Sequence, residues 1–185
     1  DSGGARIQEG VASLAGYEVV RARPVGYIPF SLFGIGSLVN SVFAALPLVR
    51  WLGLAQDIGK WSKDRSTRVG CVIIGDARQL LSSGYNGFPR GVNDDIDERH
   101  ERPGKYKWTE HAERNAIYHA ARNVIRLTGA TMYVMWYPCT DCARAIIQSG
   151  ITELVSGTLV RKSGPSWDDD FAISRILLEE AKVQV

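Results

Sequence analysis

Four residues of this chain have the types and spacing for metal-assisted hydrolysis: His111, Glu113, Cys139 and Cys142. Zinc takes nitrogen and sulfur donors, and a catalytic zinc site keeps three protein ligands and leaves the fourth position to water. His111, Cys139 and Cys142 supply that set. In Cys-x-x-Cys both sulfurs can face one ion where a loop turns into a helix, and the positive helix end favours thiolate charge. Bound zinc lowers the pKa of water from about 15.7 toward 7. Glu113 stands two residues beyond the histidine, so it need not bind the metal. A carboxylate there can take a proton from the attacking water and pass it to the substrate. A structural zinc site would normally want a fourth protein ligand, and a redox pair would leave His-x-Glu unexplained. The other histidines read as packing or interface (His119) and as a solvated loop residue (His100). Cys71, in mid-strand, reads as a small buried core residue.

Two helices must bring these groups together. Ala112 to Val124 is apolar at helical spacing, with Thr109 as its expected N-cap. Cys142 to Gln148 is a second helical run, with Gly150 as its C′ residue. Upstream, Leu48, Trp51, Leu52, Ala55, Ile58 and Ser62 recur on one helical face, ending near Lys63. Val69–Ile74 and Gln79–Tyr85 read as a hairpin, and Thr131–Trp136 and Thr152–Gly157 as two further strands. Asn86 to Lys107 is long, charged and irregular, and such loops in compact domains are usually functional. It leads directly into the His111 helix, as a lid or substrate loop would. Phe171 to Lys182 is a final amphipathic helix. The order α-β-β-loop-α-β-α-β-α predicts an α/β sandwich with a mixed central sheet.

The chain has 185 residues with a net charge of +2, which suits one globular domain plus an extension and gives no push toward nucleic acid. Three cysteines do not make a secreted disulfide framework, so a reducing, cytoplasmic setting is expected. Residues 1–47 read as an N-terminal extension and 48–185 as the catalytic domain. Val25 to Val49 carries no charged residue and is longer than the roughly 20 residues a bilayer span needs. Two prolines, three glycines and three serines dilute it, so a membrane or targeting segment, a packed extension and sequence foreign to the domain all stay open.

His-x-Glu followed by Pro-Cys-x-x-Cys matches the signature of zinc-dependent nucleobase deaminases. Here the halves are Thr109-Glu110-His111-Ala112-Glu113 and Pro138-Cys139-Thr140-Asp141-Cys142. From about Leu48 onward the chain further resembles the deoxycytidylate (dCMP) deaminase family. Gly84-Tyr85-Asn86-Gly87-Phe88-Pro89-Arg90-Gly91-Val92 is similar to its Y-N-G-x-P-x-G segment. Tyr106 to Glu110, Asn115-Ala116-Ile117, Asp141-Cys142-Ala143 and the ending Trp167–Val185 are similar too. The resemblance implies a cytidine-deaminase-like α/β/α fold and conversion of dCMP to dUMP. It makes His111, Cys139 and Cys142 the Zn2+ ligands and Glu113 the proton shuttle. It places Asn86 at the sugar and the Ser66-Thr67-Arg68 turn near the phosphate. Arg90, Lys107 and Tyr106 are further substrate candidates by charge and loop position, and Tyr137 is one for the base. The resemblance also implies a homo-oligomer, in many members a hexamer, and in some a dCTP activator and a dTTP inhibitor.

Rival readings keep the zinc and change the rest. A tRNA adenosine deaminase would show a basic surface and steep salt dependence. A riboflavin-pathway pyrimidine deaminase normally has a longer gap between its cysteines. A zinc-stabilised binding module, tethered to a membrane if 25–49 is a true span, has no use for Glu113.

Overall fold

The computed structural model describes residues 48–157 and 168–185. The β-branched run after Val69 forms the centre of a mixed four-stranded sheet. Strand β1 (Gly70–Ile74) is buried along its whole length and pairs antiparallel with β2 (Leu80–Tyr85) on one side. A bulge between Ile73 and Ile74 shifts that register. On the other side β1 pairs antiparallel with β3 (Thr131–Val134), and β3 pairs parallel with β4 (Glu153–Ser156). The order is β2-β1-β3-β4.

Alternation along the strands sorts two cores. Cys71, Ile73, Met132, Val134 and Leu154 face one side, where they pack with helix α2 (Ala112–Arg122), α3 (Thr140–Gln148) and α4 (Asp168–Glu180). Val72, Ile74, Tyr133 and Val155 face the other, against Leu52, Ala55 and Ile58 of helix α1 (residues 48–59). The layers are therefore α/β/α, as expected from the sequence. Cys71 is fully buried, and burial pushes its thiol pKa well up, as a core residue requires.

Helix α2 lies on the sheet almost without side chains between. Ala112, Ala116 and Ala120 form its fully buried stripe. They meet Gly84 of β2, where an added Cβ would come within 2.4 Å of the Ala116 amide nitrogen and 2.5 Å of the Ala112 carbonyl oxygen. The Ser82 hydroxyl donates to the Ala116 carbonyl at 2.7 Å. His119, further along, packs beside the same serine, with Nδ1 3.3 Å from its oxygen.

Element order agrees with the sequence reading, and the ends differ. The predicted strands each lose one or two terminal residues, and α1 stops at residue 59. Thr109 is not the N-cap of α2; His111 is, in an extended conformation with φ −78° and ψ 157°. The Thr109 amide instead donates to the Lys105 carbonyl at 3.0 Å and closes the preceding turn. The long segment before α2 contains two 3-10 turns, Asp97–His100 and Gly104–Lys107. Gly150 does take the left-handed conformation after α3, with φ 79°. The N-terminal extension 1–47, nearly all of the apolar stretch 25–49 and the predicted loop Ser163–Ser166 lie outside the described residues. Among the described residues no helix is long and apolar enough to cross a membrane.

Candidate active site

Both ligand segments sit where a loop enters a helix. His111 is the N-cap of α2 and Cys139 that of α3. Neither side chain caps its own helix, because each is turned toward the other ligands. His111 Nδ1 lies 3.4 Å from Cys139 Sγ and 3.5 Å from Cys142 Sγ. The three donor atoms all fall within 4.8 Å of one another. Tetrahedral zinc with ordinary Zn–N and Zn–S lengths would separate nitrogen from sulfur by about 3.5 Å. The donor set and its spacing thus fit zinc. Among the described residues the cluster offers three ligands, the number that leaves a position for reaction rather than closing the site.

The electrostatics suit the same purpose. Cys139 is held well below the ordinary thiol range by its hydrogen bonds with Cys142 and His111, while the bond with Cys139 and burial push Cys142 up. The His111 imidazole is raised by its hydrogen bond with Cys139. Glu113 is only 4% exposed, and burial raises its carboxyl pKa. A carboxyl group so placed can both accept and return a proton.

Two supports escaped the sequence reading. Arg114 Nε donates to Glu110 Oε2 at 2.6 Å, and Arg114 Nη1 lies 3.2 Å from Asp141 Oδ2, so one guanidinium ties the two ligand segments together. The i, i+4 spacing of Glu110 and Arg114 was a readable signal for half of it. The second support had no local signal. Lys105 Nζ donates to both oxygens of Asp64, at 3.0 and 2.8 Å, and to Ser66 Oγ at 2.6 Å. Both charged side chains are buried, at 8% and 7% exposure. Burial would raise the Asp64 carboxyl, but Lys105 and the amides of Thr67 and Ser66 overcome it and hold the pKa at about 2. This pair pins the loop before α2 onto the 64–68 turn.

The structure brings His111, Glu113, Cys139 and Cys142 together and distributes the substrate candidates around them. Asn86 is buried, and its carboxamide is engaged with the backbone. Its Oδ1 accepts from the Val69 amide at 2.8 Å and its Nδ2 donates to the Thr67 carbonyl at 2.8 Å. Arg68, on the same turn, is exposed. Tyr106 is 42% exposed, with the Lys105 ammonium 5.8 Å from its ring centre. Tyr137 is half-buried and packs edge-on against Phe171 of α4, with 5.9 Å between ring centres. Arg90 lines a cavity of about 340 Å³, together with Trp61, Lys63, Tyr85, Phe88 and His100. None of the four residues of the candidate centre lines that cavity. His100 is not simply solvated: its ring packs tilted against Phe88, with 4.9 Å between ring centres, and Nε2 lies 2.7 Å from the Asp94 carbonyl.

Comparison with known proteins agrees with this geometry. Residues 48–158 match the family model described as the cytidine and deoxycytidylate deaminase zinc-binding region. An uncharacterized deaminase of Aliivibrio fischeri is 39% identical over 136 residues, covering 74% of this chain and 89% of that protein. Human deoxycytidylate deaminase is 37% identical over 99 residues, covering 51% of this chain and 54% of the human one, so the chain spans about half of that relative. Among solved structures, dCMP deaminase from cyanophage S-TIM5, in complex with dCMP and dUMP, superposes with a TM-score of 0.58 at 22% identity. That alignment covers 74% of this chain and 92% of the phage one, and it shows the shared fold. By its sequence match, its layered architecture and its His-Cys-Cys cluster beside a buried glutamate, the chain belongs to the cytidine and deoxycytidylate deaminase zinc-binding family.

Proposed function

We propose that the protein catalyses hydrolytic deamination of dCMP to dUMP and ammonia, with zinc held by His111 Nδ1, Cys139 Sγ and Cys142 Sγ. The observation that carries this reading is a three-ligand cluster with a buried Glu113 beside it. Zinc, when bound, supplies the Lewis acidity that brings deprotonation of water into the neutral range. Glu113 takes a proton from the water that adds to C4 of the cytosine ring and delivers it to the ring nitrogen N3. It then assists protonation of the exocyclic amine, which leaves as ammonia.

The substrate choice is supported by the similarity to human deoxycytidylate deaminase and by the loop from Asn86 to Trp108. On this reading the sugar and phosphate lie toward Asn86 and the Arg68 turn, which are bonded to each other through Thr67 and Val69. Arg90, Tyr106 and Tyr137 belong to the same proposal as further contacts. So do the division into an extension at 1–47 and a catalytic domain at 48–185, a homo-oligomer up to a hexamer, and dCTP or dTTP as effector. A cytoplasmic location goes with them, in keeping with three free cysteines.

The test is to incubate the zinc-loaded protein with dCMP, CMP, deoxycytidine and an adenosine-bearing tRNA hairpin, following deamination by ultraviolet absorbance. Turnover of dCMP above the other three is expected. No turnover of dCMP would overturn the assignment, and turnover of the hairpin alone would replace it with RNA deamination.

A further inference from the structure

Helix α3 has an unusual start. The first turn of a helix leaves amide groups without partners, and a Ser, Thr, Asp or Asn at the N-cap normally satisfies one. Here the N-cap is Cys139, whose sulfur is committed to the ligand cluster and makes no cap bond. The missing acceptor comes from elsewhere in the chain. Asp170, on α4, accepts the Thr140 amide on Oδ2 at 3.0 Å and the Thr140 hydroxyl on Oδ1 at 2.6 Å. One turn further along α4, the fully buried Ser174 donates its hydroxyl to the Pro138 carbonyl at 2.8 Å. Pro138 and Thr140 flank Cys139, so two residues on one face of α4 grip the backbone on both sides of a ligand. Leu178, the next residue on that face at i, i+4 spacing, is fully buried in the core and anchors the stripe. A carboxylate at a helix N-terminus also opposes the positive helix end.

We propose that Asp170 is a positioning residue, an N-cap supplied in trans by the last helix, which fixes Cys139 and Cys142 for the metal. Cys139 makes no side-chain cap bond of its own, and Asp170 takes the first amide of the helix in its place. The inference rests on the zinc reading above. Partners that orient metal ligands typically contribute about 10- to 100-fold to metal affinity.

The experiment loads the full chain with zinc and measures transfer to a chromogenic chelator, alongside the thermal midpoint of each zinc-free protein. Asp170→Ala is expected to release zinc about 10-fold faster than wild type. Asp170→Asn, which keeps one acceptor, should fall between them. Leu52→Ala, on the opposite face of the sheet, controls for general loss of stability and should release zinc at the wild-type rate despite a lower midpoint. If Asp170→Ala does not fold, Thr140→Val removes the hydroxyl contact alone and must still release zinc faster than wild type. Wild-type release rates from the Asp170 variants or from Thr140→Val would overturn the inference. So would a Leu52→Ala variant that loses zinc as fast as Asp170→Ala. A wild-type chain that retains no zinc would overturn the metal assignment and this inference with it, whereas normal wild-type retention isolates the role of Asp170.

Discussion

The ligand cluster and the loop that leads into it are positioned by different physics. His111, Cys139 and Cys142 owe their places to two helix starts set on a regular sheet, the second also gripped by Asp170 and Ser174 of α4. The segment from Asn86 to Glu110 has little regular structure and is held by distant contacts. Its main anchor, Lys105 to Asp64, joins residues 41 apart in the chain. At its other end Asn86 is sewn to Val69 and Thr67, and Gly87 pairs with Glu110 across the loop's neck. The chemistry thus sits on helix ends held by regular elements, while the loop that carries most of the substrate resemblance depends chiefly on one buried ion pair and one buried amide.

Perturbations should separate the two. The largest effect belongs to the cluster: Glu113→Gln should lower turnover by on the order of 10²- to 10⁴-fold, the range for a positioned general acid–base. Zinc content by elemental analysis should stay at the wild-type level, since Glu113 is not among the grouped ligands. Next comes the anchor of the loop. Lys105→Met leaves the Asp64 carboxylate buried without its cation, a change that costs about 3–5 kcal/mol when one partner of a buried pair is lost. Denaturant unfolding should show that loss, and zinc retention should be spared if the two regions are as independent as their construction suggests.

Acid should act on the same anchor more gently. Asp64 titrates at about 2 in the folded protein against 3.8 as a free group. Its folded pKa is depressed, so its stabilisation is complete above about pH 4 and is lost as pH falls toward 2. The loss is on the order of 2 kcal/mol, and Asp64→Asn should flatten that part of a stability-versus-pH curve. The smallest effect is expected at Arg65. Its ion pair with Asp97 is shorter, at 2.6 Å against 2.8 Å, but its side chains are 60% and 75% exposed. Arg65→Ala should leave the unfolding midpoint unchanged, because exposed pairs contribute little.

The same contrast explains what could be read from the sequence. Element order, the apolar face of α1, the C′ role of Gly150 and the four residues of the cluster follow from periodicity, turn chemistry and short motifs, all local signals. The start of α2 misled because Thr109 is a good capping residue, yet the N-cap position went to a histidine whose ring is needed elsewhere. No local signal marks Lys105 or Asp64; only the folded path shows them buried against each other. Asn86 was picked out by resemblance as a sugar contact, and its dense bonding to the 67–69 backbone could not be foreseen from a Tyr-Asn-Gly string. Arg90, likewise chosen by loop position, faces the cavity beside Phe88 and His100.

The seat of α2 has a consequence for precision. Where side chains separate two elements, each can adjust its rotamers and the spacing becomes an average over many small compromises. At Gly84 the helix backbone of Ala112, Asn115 and Ala116 rests directly on the strand backbone. That spacing is a hard stop. Glu113 and the His111 start of the helix inherit their height above the sheet from it, much as a part inherits alignment from a machined face. A single methyl group at Gly84 would therefore be read out one helical turn away, as a displaced carboxylate.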